Sequence, residues 1–277
     1  MAHVDKYAVF GNPISHSKSP DIHTQFAQQT SQLLSYEAVC APVGKFEEAV
    51  AGFLADGGKG LNVTVPFKED AWKLAKARSE RAELAGAVNT LYLNEDGLLC
   101  GENTDGVGMV RDIQENHGYA MKDKRVLVLG AGGAVRGVVK PILEQSPSEV
   151  VIANRTVSKA QTLAELFSPF GNVSASSLDK LCGPFDLIIN GTAASLQGEM
   201  PVLPDGMIHS QSWCYDMMYS VEPTPFNRWA SNHGACQQLD GLGMLVEQAA
   251  ESFYIWRGIR PETASLINRL REQILNH

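Results

Sequence analysis

Arg125-Val126-Leu127-Val128-Leu129 runs directly into Gly130-Ala131-Gly132-Gly133-Ala134, and no other junction constrains the fold as strongly. An apolar run without polar alternation is the mark of a strand covered on both faces, as in a parallel sheet. Glycines between such a strand and a helix let the backbone approach a pyrophosphate, and the helix N-terminus offers it free N–H groups and a positive dipole end. The third glycine of the usual motif would fall at position 135, which is Val135. The segment therefore reads as the dinucleotide turn of a doubly wound domain.

The end of the following strand selects the dinucleotide. An NAD site would carry a carboxylate about 20 residues past the first glycine, to hold a ribose hydroxyl. Here the strand ends in Ala153-Asn154-Arg155-Thr156, with Lys159 one turn later. Arg155 can fork onto a 2′-phosphate and Thr156 can donate to it, so NADP is expected. The competing account is an exposed arginine followed by a helix-capping threonine.

Strand and helix alternate through the rest of this half: helix 134–145, strand 149–153, helix 158–167, a short strand near Val173, and strands at 186–190, 213–217 and 237–239. The N-terminal part reads as strand 7–10, a helix from Ser19-Pro20 to about 30, strand 34–40, helix 45–56, strand 60–65, helices 70–77 and 82–86, and a hairpin over 87–101. Ser19 is the expected N-cap. Val107 to Asn116 reads as a connector helix, and the chain is mostly helical from Leu242 onward. The expectation is a two-domain α/β protein: an N-terminal α/β substrate domain at 1–105, completed by helices in 242–277, and a doubly wound Rossmann domain at 106–241.

The bulk numbers narrow the function. A net charge of -8 without a long basic run argues against nucleic acid. No stretch approaches the roughly 18–20 apolar residues of a membrane span, and residues 1–7 lack the apolar core of a signal peptide. The five cysteines include no C-x-x-C pair, and the seven histidines show no ligand spacing. A reduced, cytoplasmic, metal-free protein is expected, and nothing decides between monomer and homodimer.

Candidate chemistry lies at Asn62-Val63-Thr64-Val65-Pro66-Phe67-Lys68 and Asn103-Thr104-Asp105-Gly106. Pro66 ends the strand because it has no N–H for a ladder, which places Lys68 on a strand-end loop. Lysine, aspartate and a nucleotide turn in one chain suggest proton transfer beside a dinucleotide; a surface lysine and a helix-capping aspartate are the plainer account. Ser15-His16-Ser17-Lys18-Ser19-Pro20 crowds three hydroxyls into one loop, suited to a carboxylate or polyhydroxylated ligand, with His16 and Lys18 pointing away. Asp216-Met217-Met218-Tyr219 ends a strand, and Asp240-Gly241-Leu242-Gly243-Met244 opens the last long helix, which carries Gln248.

The segments Gly11-Asn12-Pro13-Ile14 through Pro20, Asn62 to Lys68, Ala87-Val88-Asn89-Thr90, Gly101-Glu102 through Gly106, Gly130 to Ala134, Asn154-Arg155-Thr156 and Asp240 to Met244 occur in an order that resembles the shikimate dehydrogenases, NADP-dependent bacterial type. The resemblance implies reversible reduction of 3-dehydroshikimate to shikimate by NADPH, with Lys68 and Asp105 as the catalytic pair. It implies Ser17 and Ser19 at the substrate carboxylate, with Thr64, Asn89, Asp105, Tyr219 and Gln248 around the ring. It places NADP on Gly130, Ala131, Gly132, Gly133, Ala134, Asn154, Arg155, Thr156, Lys159, Met217 and Gly241, with Glu80 a minor contact or a plain exposed helix-end residue. Four places depart from the pattern: Lys159 where relatives often carry arginine, the loop 190–195, the loop 220–223, and Glu247, whose charge disturbs the substrate side or faces solvent. The rival readings are a quinate/shikimate dehydrogenase of broader specificity and a catalytically idle NADP-binding regulator.

Overall fold

The computed structural model of the protein describes residues 4–192, 194 and 198–276. The chain forms two compact units: residues 1–108 with 246–268, and residues 109–245 with 269–277.

The first unit holds β1 (Asp5–Gly11), α1 (Ser19–Gln29), β2 (Leu34–Cys40), α2 (Phe46–Ala55), β3 (Gly58–Val63), α3 (Lys68–Leu74), β4 (Ala77–Arg78), α4 (Glu80–Ala85), β5 (Thr90–Leu93) and β6 (Leu99–Glu102). Its sheet has the order β2-β1-β3-β5-β6-β4. β1 pairs parallel with β2 and β3, whereas β5 runs antiparallel to β3 and β6. Phe10, Phe46, Leu61, Val63, Phe67 and Leu91 fill its core, with Phe67 stacked on Phe46 at 5.0 Å. Burying Phe67 anchors the turn after β3 and so fixes where Lys68 starts.

Three expectations change here. Lys68 is not on a loop; it opens α3. Ser19 is the first helical residue rather than the N-cap, and Ser17 Oγ accepts its N–H at 3.3 Å. The two-residue β4 has no counterpart in the expected elements, because a strand so short leaves no alternation to read.

α5 (Asp105–Arg111) carries the chain from the first unit to the second and runs on into a π-helical turn, Asp112–Asn116. The second unit contains β7 (Arg125–Leu129), α6 (Gly133–Leu143), β8 (Glu149–Ala153), α7 (Val157–Phe167), β9 (Val173–Ser176), β10 (Phe185–Asn190), β11 (Ile208–Asp216), α8 (Pro225–Asn232) and β12 (Gln237–Leu239). α9 (Leu242–Arg257) and α10 (Ala264–Leu275) each contribute to both units. Residues 242–245 and 269–277 thus group with the second unit.

The second sheet is wholly parallel, in the order β12-β11-β10-β7-β8-β9. Counted from β7, that is the 3-2-1-4-5-6 order of a doubly wound dinucleotide fold, with its switch point between β7 and β10. β7, β8 and β10 are each almost entirely buried, which explains why their sequences do not alternate. α8 has no counterpart in the expected elements; Thr224 caps it by accepting the Asn227 N–H at 3.2 Å, and Pro225 occupies its first turn. No helix among the described residues is long and apolar enough to cross a membrane.

Candidate active site

In the first unit, Lys68 and Asp105 each begin a helix. A carboxylate is favoured at a helix N-terminus and a cation is not, so Lys68 needs a counter-charge. Asp105 supplies it: Lys68 Nζ lies 2.5 Å from Asp105 Oδ2, with side-chain exposures of 31% and 16%. The other carboxylate oxygen, Oδ1, accepts from Asn89 Nδ2 at 2.9 Å. Asn103 Oδ1 accepts the Asp105 backbone N–H at 3.1 Å, while its amide nitrogen donates to the Ala87 carbonyl. Asn89 Nδ2 also reaches Thr104 Oγ1 at 2.8 Å and Gln248 Oε1 at 3.3 Å. Lys68, Asp105, Asn89 and Gln248 therefore form one hydrogen-bonded group.

Ser17 and Ser19 stand together at the N-terminus of α1, and Thr64 follows β3. His16 and Lys18 are exposed. Glu247 neither faces solvent nor stands loose: it is 3% exposed, and Thr263 Oγ1 donates to it at 2.5 Å. Glu80 opens α4 in this unit, not in the unit that carries the glycine-rich turn.

The second unit carries the remaining candidates. Gly130 leaves β7 with φ +105°. Gly132 and Gly133 face open space, where a Cβ would meet nothing within 4 Å, and residues 132–134 are exposed at the start of the 11-residue α6. These free N–H groups and bare α-carbons fit a dinucleotide pyrophosphate. The absent third glycine is explained by Gly191. Val135 is fully buried, and a Cβ on Gly191 would lie 2.5 Å from Val135 Cγ2 and 3.0 Å from Met217 Sδ. A Cβ on Gly241 would in turn come within 2.2 Å of the Met217 carbonyl oxygen. Val135, Gly191, Met217 and Gly241 thus meet at the carboxyl end of the sheet. Of the loop variant at 190–195, Ala193 and Ser195 lie outside the described residues.

Asn154, Arg155 and Thr156 follow β8. Asn154 Nδ2 donates to the Thr156 carbonyl at 3.0 Å. Thr156 occupies the cap position of α7, but its side chain makes no capping bond, which leaves its hydroxyl for a ligand. Arg155 and Lys159 are exposed. Arg155 borders a cleft of about 440 Å³ whose other walls include Ser177, Leu178, Val202 and Leu203. Asp179, also on that cleft, has its carboxyl held below the usual range by a hydrogen bond from Ser177. Tyr219 follows β11 in this unit; burial, and then the Asp240 carboxylate, push its phenol upward, so it remains a donor near neutral pH.

Four residues given no role in the sequence analysis join the first-unit group: Asn62, Thr90 and Thr104, which lie inside the quoted segments, and Ser252, which does not. All are buried. A polar Asn62 amid β-branched neighbours was the available signal, since a buried amide must find partners.

A doubly wound sheet with a dinucleotide turn, in a chain that also carries a half-buried lysine–aspartate pair, defines a nicotinamide-dependent oxidoreductase. Comparison with known proteins narrows the class. Residues 9–91 match the family described as Shikimate dehydrogenase substrate binding domain, residues 112–212 match Shikimate / quinate 5-dehydrogenase, and residues 241–271 match Shikimate 5'-dehydrogenase C-terminal domain. The Shikimate dehydrogenase (NADP(+)) of Alkalilimnicola ehrlichii is 60% identical over 269 residues, covering 97% of this chain and 99% of that protein. Among solved structures, an Ael1 enzyme from Pseudomonas putida is 47% identical with a TM-score of 0.92, over 96% of this chain and 98% of that one. The shikimate 5-dehydrogenase from Thermus thermophilus, in complex with NADP(H) and shikimate, is 31% identical with a TM-score of 0.86, over 97% and 99%. The chain belongs to the shikimate dehydrogenase family.

Proposed function

We propose that the protein catalyses the reversible reduction of 3-dehydroshikimate to shikimate with NADPH, in the biosynthesis of aromatic amino acids, as a cytoplasmic monomer or homodimer. The observation that carries this reading on the chemical side is the Lys68–Asp105 pair at 2.5 Å, in a chain 60% identical to an NADP-dependent shikimate dehydrogenase.

NADPH, when bound, supplies the hydride for the carbonyl carbon. The residues of this chain do the rest. In reduction, Lys68 gives a proton from Nζ to the oxygen that becomes the hydroxyl; in oxidation it takes that proton back. Asp105 holds Nζ in place and accepts from a neighbouring ring hydroxyl. Ser17 and Ser19 donate to the substrate carboxylate, where the N-terminal end of α1 adds a favourable dipole. Thr64, Asn89, Gln248 and Tyr219 orient the ring. Gly130, Ala131, Gly132, Gly133 and Ala134 receive the pyrophosphate; Asn154, Arg155, Thr156 and Lys159 hold the 2′-phosphate; Met217 and Gly241 line the nicotinamide side, and Glu80 makes a lesser contact. In domain terms, 1–105 with the C-terminal helices would bind substrate and 106–241 the cofactor.

The test is an absorbance assay of cofactor reduction with shikimate or quinate, each paired with NADP or NAD. Turnover should be strongest with shikimate and NADP. Equal turnover of quinate would replace this reading with the broader enzyme, and no turnover of either would leave an NADP-binding protein without this activity.

A further inference from the structure

Asn89 is 3% exposed, and its amide has one allowed orientation. Its Oδ1 accepts the Thr104 backbone N–H at 2.9 Å. A backbone N–H only donates, so the oxygen must face Thr104 and the NH₂ must face Asp105 Oδ1 at 2.9 Å. Turned over, the amide would set oxygen against the carboxylate and loosen Asp105 from Lys68.

A second donor holds the same oxygen. Thr90 Oγ1 lies 2.9 Å from Asn89 Oδ1. Asn89 Oδ1 has no hydrogen to give, so the bond takes Thr90's single proton. Thr90 must then accept from its other neighbours. Asn62 Nδ2 reaches it at 3.2 Å, and Ser252 Oγ lies at 2.7 Å. Ser252 therefore donates to Thr90. Two other acceptors for that proton lie farther away than Thr90: the Thr104 hydroxyl at 3.3 Å and the Gln248 carbonyl at 3.0 Å, which sits inside α9 where the backbone supplies its own donor. Asn62 is itself oriented: Nδ2 donates to the Asn89 carbonyl at 3.2 Å, and the Tyr36 hydroxyl donates to Oδ1 at 2.7 Å. Thr90 and Ser252 are both fully buried, and the hydrogens run in one sense from Ser252 to Thr90 to Asn89 to Asp105.

We propose that Thr90, with Ser252 behind it, is a positioning residue that fixes Asp105 through the Asn89 amide. The inference rests on Lys68 and Asp105 being the catalytic pair.

Thr90→Val keeps the shape and removes the hydroxyl; Thr90→Ser does the reverse. The two are compared in shikimate oxidation with NADP, alongside melting temperatures. Thr90→Val should lower kcat/KM for shikimate about three- to tenfold, the worth of one neutral hydrogen bond, and leave KM for NADP unchanged. Thr90→Ser should restore wild-type kinetics. A packing role predicts the opposite order, because serine leaves a hole where the methyl was. Ser252→Ala should have a smaller effect, and the Thr90→Val/Ser252→Ala double variant should be no worse than Thr90→Val alone. Wild-type kinetics in Thr90→Val, equal losses in Val and Ser, or multiplying losses in the double variant would each overturn the proposal. If Thr90→Val does not fold, Ser252→Ala decides: a two- to threefold loss supports the chain of donors, and no loss overturns it. Failure of the wild-type protein to oxidise shikimate would strike the proposed function instead.

Discussion

Val135 and Gly191 are a matched pair: the valine methyl occupies the space that a side chain at 191 would need, 2.5 Å from where its Cβ would lie. The close packing that a third glycine usually provides at the start of the helix is here transferred to the end of the neighbouring strand.

Gly191→Ala should therefore be costly. Overpacking a buried contact typically costs about 1–3 kcal/mol, and the displaced Val135 lies one residue after the exposed turn. A lower melting temperature and a higher KM for NADP are expected. Adding Val135→Ala should recover much of both. Thermal unfolding and NADP titration of the three variants check this; a neutral single variant would dissolve the pairing.

Lys68→Ala should reduce kcat by ~10²–10⁴, the usual contribution of a positioned acid or base, with little change in KM for shikimate. Steady-state kinetics suffice. Near-normal kcat would remove Lys68 from the proton transfer.

Arg155→Ala should lower the preference for NADP over NAD by about ten- to a hundredfold, the equivalent of one charge-assisted hydrogen bond of ~1.5–3 kcal/mol. Thr156 and Lys159 should preserve part of it. High salt should shrink the difference, because the arginine is exposed. KM values for both cofactors at two ionic strengths provide the measurement, and an unchanged preference would refute the phosphate clamp.

His23 should make stability fall in mild acid. It is fully buried, its ring stacks on Tyr36 at 4.3 Å, and neither ring nitrogen has a hydrogen-bond partner among the described residues. Burial pushes its pKa down from 6.5 to about 3, with the nearby Asn62 side chain opposing. Between those values the unfolded chain binds a proton that the folded protein refuses, so its contribution is intact above about pH 6.5 and is lost on the way down, by about 1.4 kcal/mol per pH unit. His23→Phe should flatten that slope. Urea unfolding at pH 7, 6 and 5 compares the two; parallel slopes would mean that His23 is not the group responsible.

The parallel sheet was legible because β7, β8 and β10 are short apolar runs between glycine-rich or polar turns. The Lys68 position was read on its proline, but the strand ends at Val63, three residues before Pro66, and α3 begins at Lys68; boundaries this close depend on Phe67 finding Phe46. Thr156 illustrates a limit of cap chemistry, since a threonine at a cap position need not cap. Of the cluster around Asn89, the resemblance named Asn89, Asp105 and Gln248, but the part played by Ser252 was not legible. Asn62 meets Ser252 across 190 residues of sequence, and no local pattern records a contact at that separation.

Asp216 has a consequence for the carboxyl end of the second sheet. This fully buried carboxylate accepts from Asn190 Nδ2 at 3.1 Å, Thr224 Oγ1 at 2.6 Å and the Met218 N–H at 3.1 Å. Asn190 Oδ1 in turn takes the N–H and hydroxyl of Thr192. One ion thus rivets together the backbone leaving β10 and the backbone leaving β11. A shift of Met218 takes a donor from the buried Asp216 carboxylate, and a shift of Thr192 takes two donors from the Asn190 amide that holds it. Thr192 and Met218 form a rigid rim rather than a flap, and a ligand meeting that rim loses little affinity to ordering it.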